Sequence, residues 1–170
     1  MNREDKKILL MGVSGTGKSL IGRLIADALG VLFIDGDDFH TENNLNKMNS
    51  GIPLDDNDRE GWLKTLNNEF VRHSNLILAC SALKPEYRNM LRENNQDLII
   101  VYLKGSFDII LSRHKKRQGH FFNGEKMLRN QFDTLVEPSP DEAIFIEVDQ
   151  GVEHILEQAL AEINKCSSPS

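Results

Sequence analysis

Cysteine is scarce. The 170 residues carry two, Cys80 and Cys166, which excludes a disulfide framework. Long apolar runs are missing too: nothing approaches the ~20 consecutive apolar residues that cross a bilayer. The charged start, Met1 to Lys7, leads directly into an apolar strand and shows no signal-peptide pattern. Cytoplasm is the compartment this combination implies. Positive charge is in deficit, with 20 Lys and Arg against 26 Asp and Glu and a formal net charge of −6. That balance argues against a general nucleic-acid or membrane-surface role, and it makes any local basic cluster informative. No internal repeat or low-complexity linker divides the chain. With 39% apolar and 27% charged residues, it has the composition of a globular protein. Its length suits one domain, over 1–166, with a disordered tail at 167–170.

What is present begins with Gly12-Val13-Ser14-Gly15-Thr16-Gly17-Lys18-Ser19. This matches G-x-x-x-x-G-K-[ST], a phosphate-binding loop. Phosphate oxygens must reach a row of backbone N–H groups, so side chains have to be absent at some positions. A helix starting near Gly17 aims its unpaired N–H groups at the same phosphates. Lys18 adds a point charge on the β- and γ-phosphates, and Ser19 offers a hydroxyl to Mg²⁺. The apolar run Ile8–Met11 precedes the loop, and Leu20, Ile21, Leu24, Ile25, Ala28 and Leu29 follow at helical spacing. Strand, loop and helix are the context the motif requires, and a chance match alone is on the order of one in a hundred.

Four further apolar runs read as buried strands: Val31–Ile34, Leu76–Ala79, Leu98–Leu103, and Ala143–Ile146 with Val148. Alternation with helical patterns predicts an α/β fold, a five-stranded parallel sheet covered on both faces in a three-layer sandwich. Periodicity does not give strand order. Ligands in such sheets sit beyond the carboxyl ends of the strands, so Asp35-Gly36-Asp37-Asp38 falls on the same edge as the phosphate loop. There one Asp can hold Mg²⁺ and another can take a proton from a hydroxyl. An isolated Asp-x-Asp is more often a solvated turn with a helix cap. His40 to Pro53 reads mostly as an ordinary surface helix and turn. Trp62, Leu63, Leu66 and Phe70 mark a core face, and no ligand role is assigned to Trp62. Lys84 and Arg88 share a helix face. Arg113, Lys115, Lys116 and Arg117 form a cationic run ahead of Gly119-His120-Phe121-Phe122. Charge runs are usually solvated faces. Here the pattern suggests a mobile lid over about 113–135 that brings arginines to ATP phosphates and excludes water.

From Leu10 to about Asp149 the chain resembles the gluconokinases of the small P-loop kinase group, which also contains shikimate and adenylate kinases. The resemblance rests on the phosphate loop, Asp35-Gly36-Asp37, Lys47-Met48, Gly51-Ile52-Pro53-Leu54, Asp58-Arg59 with Trp62-Leu63, Cys80-Ser81-Ala82-Leu83-Lys84 with Tyr87-Arg88, Tyr102-Leu103-Lys104-Gly105, Gly119-His120-Phe121-Phe122, and Gln131-Phe132 with Leu135 and Glu137-Pro138. Shikimate kinases carry a glycine triplet after the third strand, where this chain has Cys80-Ser81-Ala82. The resemblance implies ATP:D-gluconate 6-phosphotransfer, dependence on Mg²⁺, the sheet order 2-3-1-4-5 and a homodimer.

By the same similarity, Gly12 to Ser19 hold ATP, with Arg113 against the adenine. Ser19 and Asp35 hold Mg²⁺, Asp35 through water. Asp37 orients and deprotonates the acceptor hydroxyl, while Lys18 and Arg117 stabilise the transferred phosphoryl group. Gluconate needs a cation for its carboxylate and mixed donors and acceptors for its hydroxyls. Arg59, Lys84 and Arg88 are the cation candidates; His40, His120 and Gln131 are the hydroxyl candidates. Two other readings stay open at this point: a related kinase of another sugar acid or shikimate, and an ATP-binding module without transfer activity. A pure binder needs neither the Asp35/Asp37 pair nor a cationic lid.

Overall fold

The computed structural model describes residues 5–118 and 124–166. Its elements run β1 (Lys7–Met11), α1 (Lys18–Leu29), β2 (Leu32–Asp35), a single 3₁₀ turn (Gly36–Phe39), α2 (Glu42–Asn49), α3 (Asp56–Arg72), β3 (Leu76–Ala79), α4 (Pro85–Arg92), β4 (Ile99–Lys104), α5 (Phe107–Gln118), α6 (Glu125–Thr134), β5 (Ile144–Glu147) and α7 (Val152–Cys166). The strands form one five-stranded sheet in the order β2-β3-β1-β4-β5, with every pairing parallel. This is the fold and the strand order expected. Among the described residues, no helix is long and apolar enough to cross a membrane.

The central strand shows why the apolar runs are continuous. Ile8 and Leu10 enter a core shared with α1, α5 and α7, among them Ile25, Ile110 and Ile155. Leu9 and Met11 point the other way, to a core built with Trp62, Leu66, Phe70 and Leu91 of α3 and α4. A strand alternates faces at every residue, so burial on both faces demands apolar side chains throughout. Residues 8–11 are all 0% exposed.

β2 begins one residue later than periodicity suggests. Gly30 adopts φ +69° at the end of α1, and the Val31 N–H turns back to the Ala26 carbonyl at 3.0 Å. Val31 therefore closes the helix instead of opening the strand. The shift makes Asp35 the last residue of β2, paired in register with Ala79 of β3. The acidic turn thus starts directly at the carboxyl edge of the sheet.

Two local devices fix the wall beside that edge. Thr41 caps α2, its side chain accepting from the Asn44 N–H at 3.1 Å. Asp55 and Asp58 form a capping box at the start of α3. Lys47 then joins the two helices, its Nζ 2.7 Å from Asp58 Oδ2. The segment His40 to Pro53 is therefore no plain surface connection. Asn44 is 2% exposed, and Met48, Ile52 and Pro53 line the main cleft.

Candidate active site

The phosphate loop joins β1 to α1 at the carboxyl edge of the sheet. Gly12 is needed for close approach, since a Cβ there would lie 2.7 Å from the Leu103 carbonyl oxygen. Gly17 caps α1 at φ +91°, a left-handed conformation that strains any residue with a side chain. Thr16 braces the loop from within: it is 1% exposed and donates from Oγ1 to the Val13 carbonyl at 2.9 Å. Lys18 folds back over the loop, with Nζ donating to the carbonyls of Gly12 at 2.8 Å and Val13 at 3.0 Å. Burial lowers its pKa, against the pull of Asp37, Cys80 and Asp35.

Ser19 Oγ donates to Asp35 Oδ2 at 2.8 Å. The other oxygen of Asp35 accepts from the Asp37 N–H at 3.0 Å and caps the 3₁₀ turn. One carboxylate therefore ties the phosphate loop to the turn that carries the second. Asp37 projects into the cleft with its side chain 74% exposed. The surrounding protein and then the Asp35 charge raise its pKa, while Lys18 and His40 pull the other way. Cys80 lies at the end of β3, its thiol pushed up to about 12 by burial. It is a neutral wall residue at physiological pH.

The main cleft encloses about 560 Å³. Of the candidate residues, Lys18, Ser19, Asp35, Asp37, His40, Arg59, Arg117 and Gln131 all line it. Arg59 is held by Tyr87: Nη1 donates to the phenol oxygen at 3.2 Å, and that phenol donates to Asp56 Oδ1 at 2.7 Å. A second cavity of about 440 Å³ lies behind the loop. It is bounded by Gly15 to Gly17, Arg113 and Arg117, with Gln150 and Val152 opposite. Arg113 also donates to the Val148 carbonyl. The helices α5 and α6 touch the loop on both sides. His114 Nε2 lies 3.1 Å from the Ser14 carbonyl, and Gln131 Oε1 accepts from the Ser14 N–H at 2.7 Å.

Two cation candidates lie elsewhere. Arg88 is 1% exposed, donating through Nε to Glu142 at 2.8 Å and through Nη1 to the Ala82 carbonyl at 2.9 Å. It is a buried brace, because helical spacing alone does not say which side of α4 faces the cleft. Lys84 reaches Asp56 Oδ1 at 3.3 Å and is absent from the cleft lining. His120, with Gly119, Phe121 and Phe122, falls outside the described residues.

Sequence reasoning missed Arg23 and Trp62, both in the lining. Arg23 sits 5.4 Å from the Phe33 ring centroid. Its position on the first turns of α1, one helical turn after Ser19, was the available signal. For Trp62 the signal was weaker, since the residue is both 5% exposed core and the stacking partner of His40.

The shikimate kinase family model matches residues 14–165. Thermoresistant gluconokinase of Escherichia coli K12 is 44% identical over 170 residues, covering 96% of this chain and 97% of that protein. Thermosensitive gluconokinase of the same organism is 40% identical over 148 residues, 85% of this chain and 79% of that one. The crystal structure of a gluconokinase from Sinorhizobium meliloti 1021 superposes with a TM-score of 0.89 at 38% identity, over 96% of this chain and 94% of that one. Identity of this order along nearly the full length of both partners, on the same sheet order and the same phosphate loop, places the chain: it belongs to the gluconokinase family of P-loop kinases.

Proposed function

We propose that this kinase transfers the γ-phosphoryl group of ATP to the 6-hydroxyl of D-gluconate, giving 6-phospho-D-gluconate and ADP. The supporting observation is one cleft that holds a phosphate loop, a carboxylate tied to that loop by Ser19, and a second carboxylate facing the open space. Phosphoryl transfer needs little covalent chemistry from the protein. Positioning and charge supply most of the rate.

Residues Gly12 to Ser19 hold the triphosphate, and the cavity behind the loop takes the nucleoside against Arg113. Lys18 and Arg117 meet the charge on the transferred group. Arg117 fits this task because it borders both cavities. Asp37 receives the hydroxyl proton. Its raised pKa makes it a better proton acceptor once ionised. Ser19 and Asp35 offer two hard oxygens 2.8 Å apart, a donor set that suits Mg²⁺, which binds one or two protein oxygens together with phosphates and water. When bound, the ion neutralises phosphate charge. Arg59 takes the substrate carboxylate, with its guanidinium held by Tyr87. His40 and Gln131 meet hydroxyls, as would His120. Gln131, whose side chain accepts from the Ser14 N–H, belongs to the stretch of about 113–135 read as a lid. A cytoplasmic homodimer is the working assembly.

A coupled ADP-release assay over a panel of sugar acids tests the substrate. Turnover with D-gluconate should exceed that with shikimate by orders of magnitude. Equal turnover of the two defeats the gluconate reading, and no acceptor-stimulated ADP release at saturating Mg-ATP defeats transfer altogether.

A further inference from the structure

His40 is held on three sides. Its ring stacks on Trp62 with centroids 4.1 Å apart at 18°, and the imidazole is 3% exposed. Trp62 Nε1 donates to the Gly36 carbonyl at 2.8 Å, and the His40 N–H reaches the Asp37 carbonyl at 3.4 Å. Ring and carboxylate are therefore referenced to the same turn. Asn44 Nδ2 stands 3.4 Å from ring Nδ1, and Asp37 Oδ1 stands 3.8 Å from ring Nε2.

Asn44 decides which nitrogen carries the hydrogen. Its amide nitrogen also donates to the Asp58 main-chain carbonyl at 3.1 Å. A carbonyl oxygen only accepts, so the amide cannot be turned over. An amide NH₂ has only hydrogens to offer, so Nδ1 must be the acceptor, and a neutral ring then carries its hydrogen on Nε2. Burial lowers the His40 pKa, with Asp37 opposing and Arg59 assisting. The neutral ring is the form present at pH 7.

We propose that Asn44 is a positioning residue: it fixes His40 as the Nε2–H tautomer, and so sets one hydrogen-bond donor beside the Asp37 acceptor, a pair that one substrate hydroxyl can bridge. The separation of 3.8 Å is too wide for a direct bond. A hydroxyl oxygen about 2.8 Å from each group bridges them from the side, off the line that joins them, accepting from His40 and donating to Asp37. The opposite tautomer would offer two acceptors and leave the hydroxyl oxygen without a donor. The inference rests on the reading of this cleft as the acceptor site.

The test is ¹⁵N-histidine NMR on the full chain at pH 7, with the His40 signals assigned by their loss in His40→Gln. Wild type should show Nε2 protonated and Nδ1 bare. Asn44→Asp, whose carboxylate accepts, should move the hydrogen to Nδ1. Asn44→Ala should leave the two forms in exchange and raise the KM for gluconate roughly tenfold, in line with one lost hydrogen bond, with the KM for ATP unchanged. A purely structural Asn44 would move the unfolding midpoint and neither the ring signals nor the ratio of the two KM values. A wild-type ring protonated at Nδ1, or an Asn44→Ala spectrum identical to wild type, overturns the proposal. So does an unchanged KM for gluconate in that variant. Should the alanine variant not fold, the wild-type and aspartate spectra decide. A wild-type enzyme with the expected ring but no turnover of gluconate breaks the functional reading and supports the tautomer assignment.

Discussion

The bonds that shape the phosphate loop from within and those that shape the facing wall of the cleft span very different distances along the chain. At the nucleotide edge, Thr16 bonds to Val13 three residues away, and Lys18 bonds to Gly12 and Val13 within six. At the acceptor wall, Asn44 reaches Asp58 across 14 residues, Arg59 reaches Tyr87 across 28, and Tyr87 reaches Asp56 across 31. Arg88 reaches Glu142 across 54. The first region is a loop braced from within, its ligand groups largely main chain, although its rim also meets distant residues, Ser14 with Gln131 and His114 and Ser19 with Asp35. The second is a set of side chains that acquire their orientation only when α2, α3 and α4 have packed. A local loop can be reused under many acceptors, whereas the wall must be rebuilt for each. On the proposed reading, the wall is where specificity resides.

The sharpest way to test this division is to remove the charge at the nucleotide edge. Lys18→Ala should lower kcat by at least ~10³-fold, since it deletes a preorganised cation aimed at the reacting phosphates. Thermal unfolding should change far less than kcat, because the loss of the bonds to the Gly12 and Val13 carbonyls is offset in part by no longer burying a charge. Steady-state kinetics beside a melting curve checks both halves. Next in size is Asp37→Asn, which should depress kcat by ~10²–10⁴-fold while the KM for ATP holds. An Asn variant with wild-type kcat removes Asp37 from the chemistry.

The same distances explain what could be read before folding. The loop's three glycines and its Lys-Ser pair fall within Gly12 to Ser19, so eight letters disclose them, whereas its bonds to His114 and Gln131 come from packing. The acidic pair was legible because Asp35 ends a strand beside that loop, and strand ends in such sheets share one edge. Arg59, Lys84 and Arg88 were indistinguishable as letters. Each is a cation near a helix start, and only packing shows that Arg59 enters the cleft while Lys84 turns to Asp56 and Arg88 to Glu142. Asn44 was hidden for the same reason. In a polar stretch it looks solvated, and its burial depends on α3, which begins 12 residues later at Asp56.

On the proposed reading the wall divides into a brace, Arg88, and a substrate ligand, Arg59, and two variants separate them. Arg88→Ala strands the Ala82 carbonyl and removes the buried partner of Glu142, which is 21% exposed and keeps Arg92 at 2.6 Å. The loss should therefore fall below the roughly 3–5 kcal/mol of a fully buried broken pair, at about 2–4 °C of Tm per kcal/mol for a domain this size. At a temperature where the variant is folded, its KM for gluconate should match wild type; a selective rise returns Arg88 to the list of substrate contacts. Arg59→Ala should do the opposite. It should raise the KM for gluconate about 10–100-fold, the value of a charge-assisted hydrogen bond. The KM for ATP should hold and Tm should barely move.

The smallest effect reverses the usual sign. Asp37 has a folded-state pKa above its ordinary value of 3.8, first through partial desolvation by the surrounding cleft and then through the Asp35 charge. The native state therefore binds that proton more tightly than the unfolded chain does. The stability this contributes is fully present below pH 3.8 and is lost as pH rises through the folded pKa. At pH 7 the ionised carboxylate is a burden on the fold. Asp37→Asn, uncharged at every pH, should melt slightly higher than wild type at pH 7, and the difference should shrink toward zero as the pH is lowered past 3.8. Solvent screens a side chain that is 74% exposed, so the gain is small. Paired melting curves across that range read it directly. A variant that melts lower than wild type at pH 7 would mean that attraction to Lys18 outweighs burial and Asp35, and the carboxylate would then count among the groups that hold the nucleotide edge together.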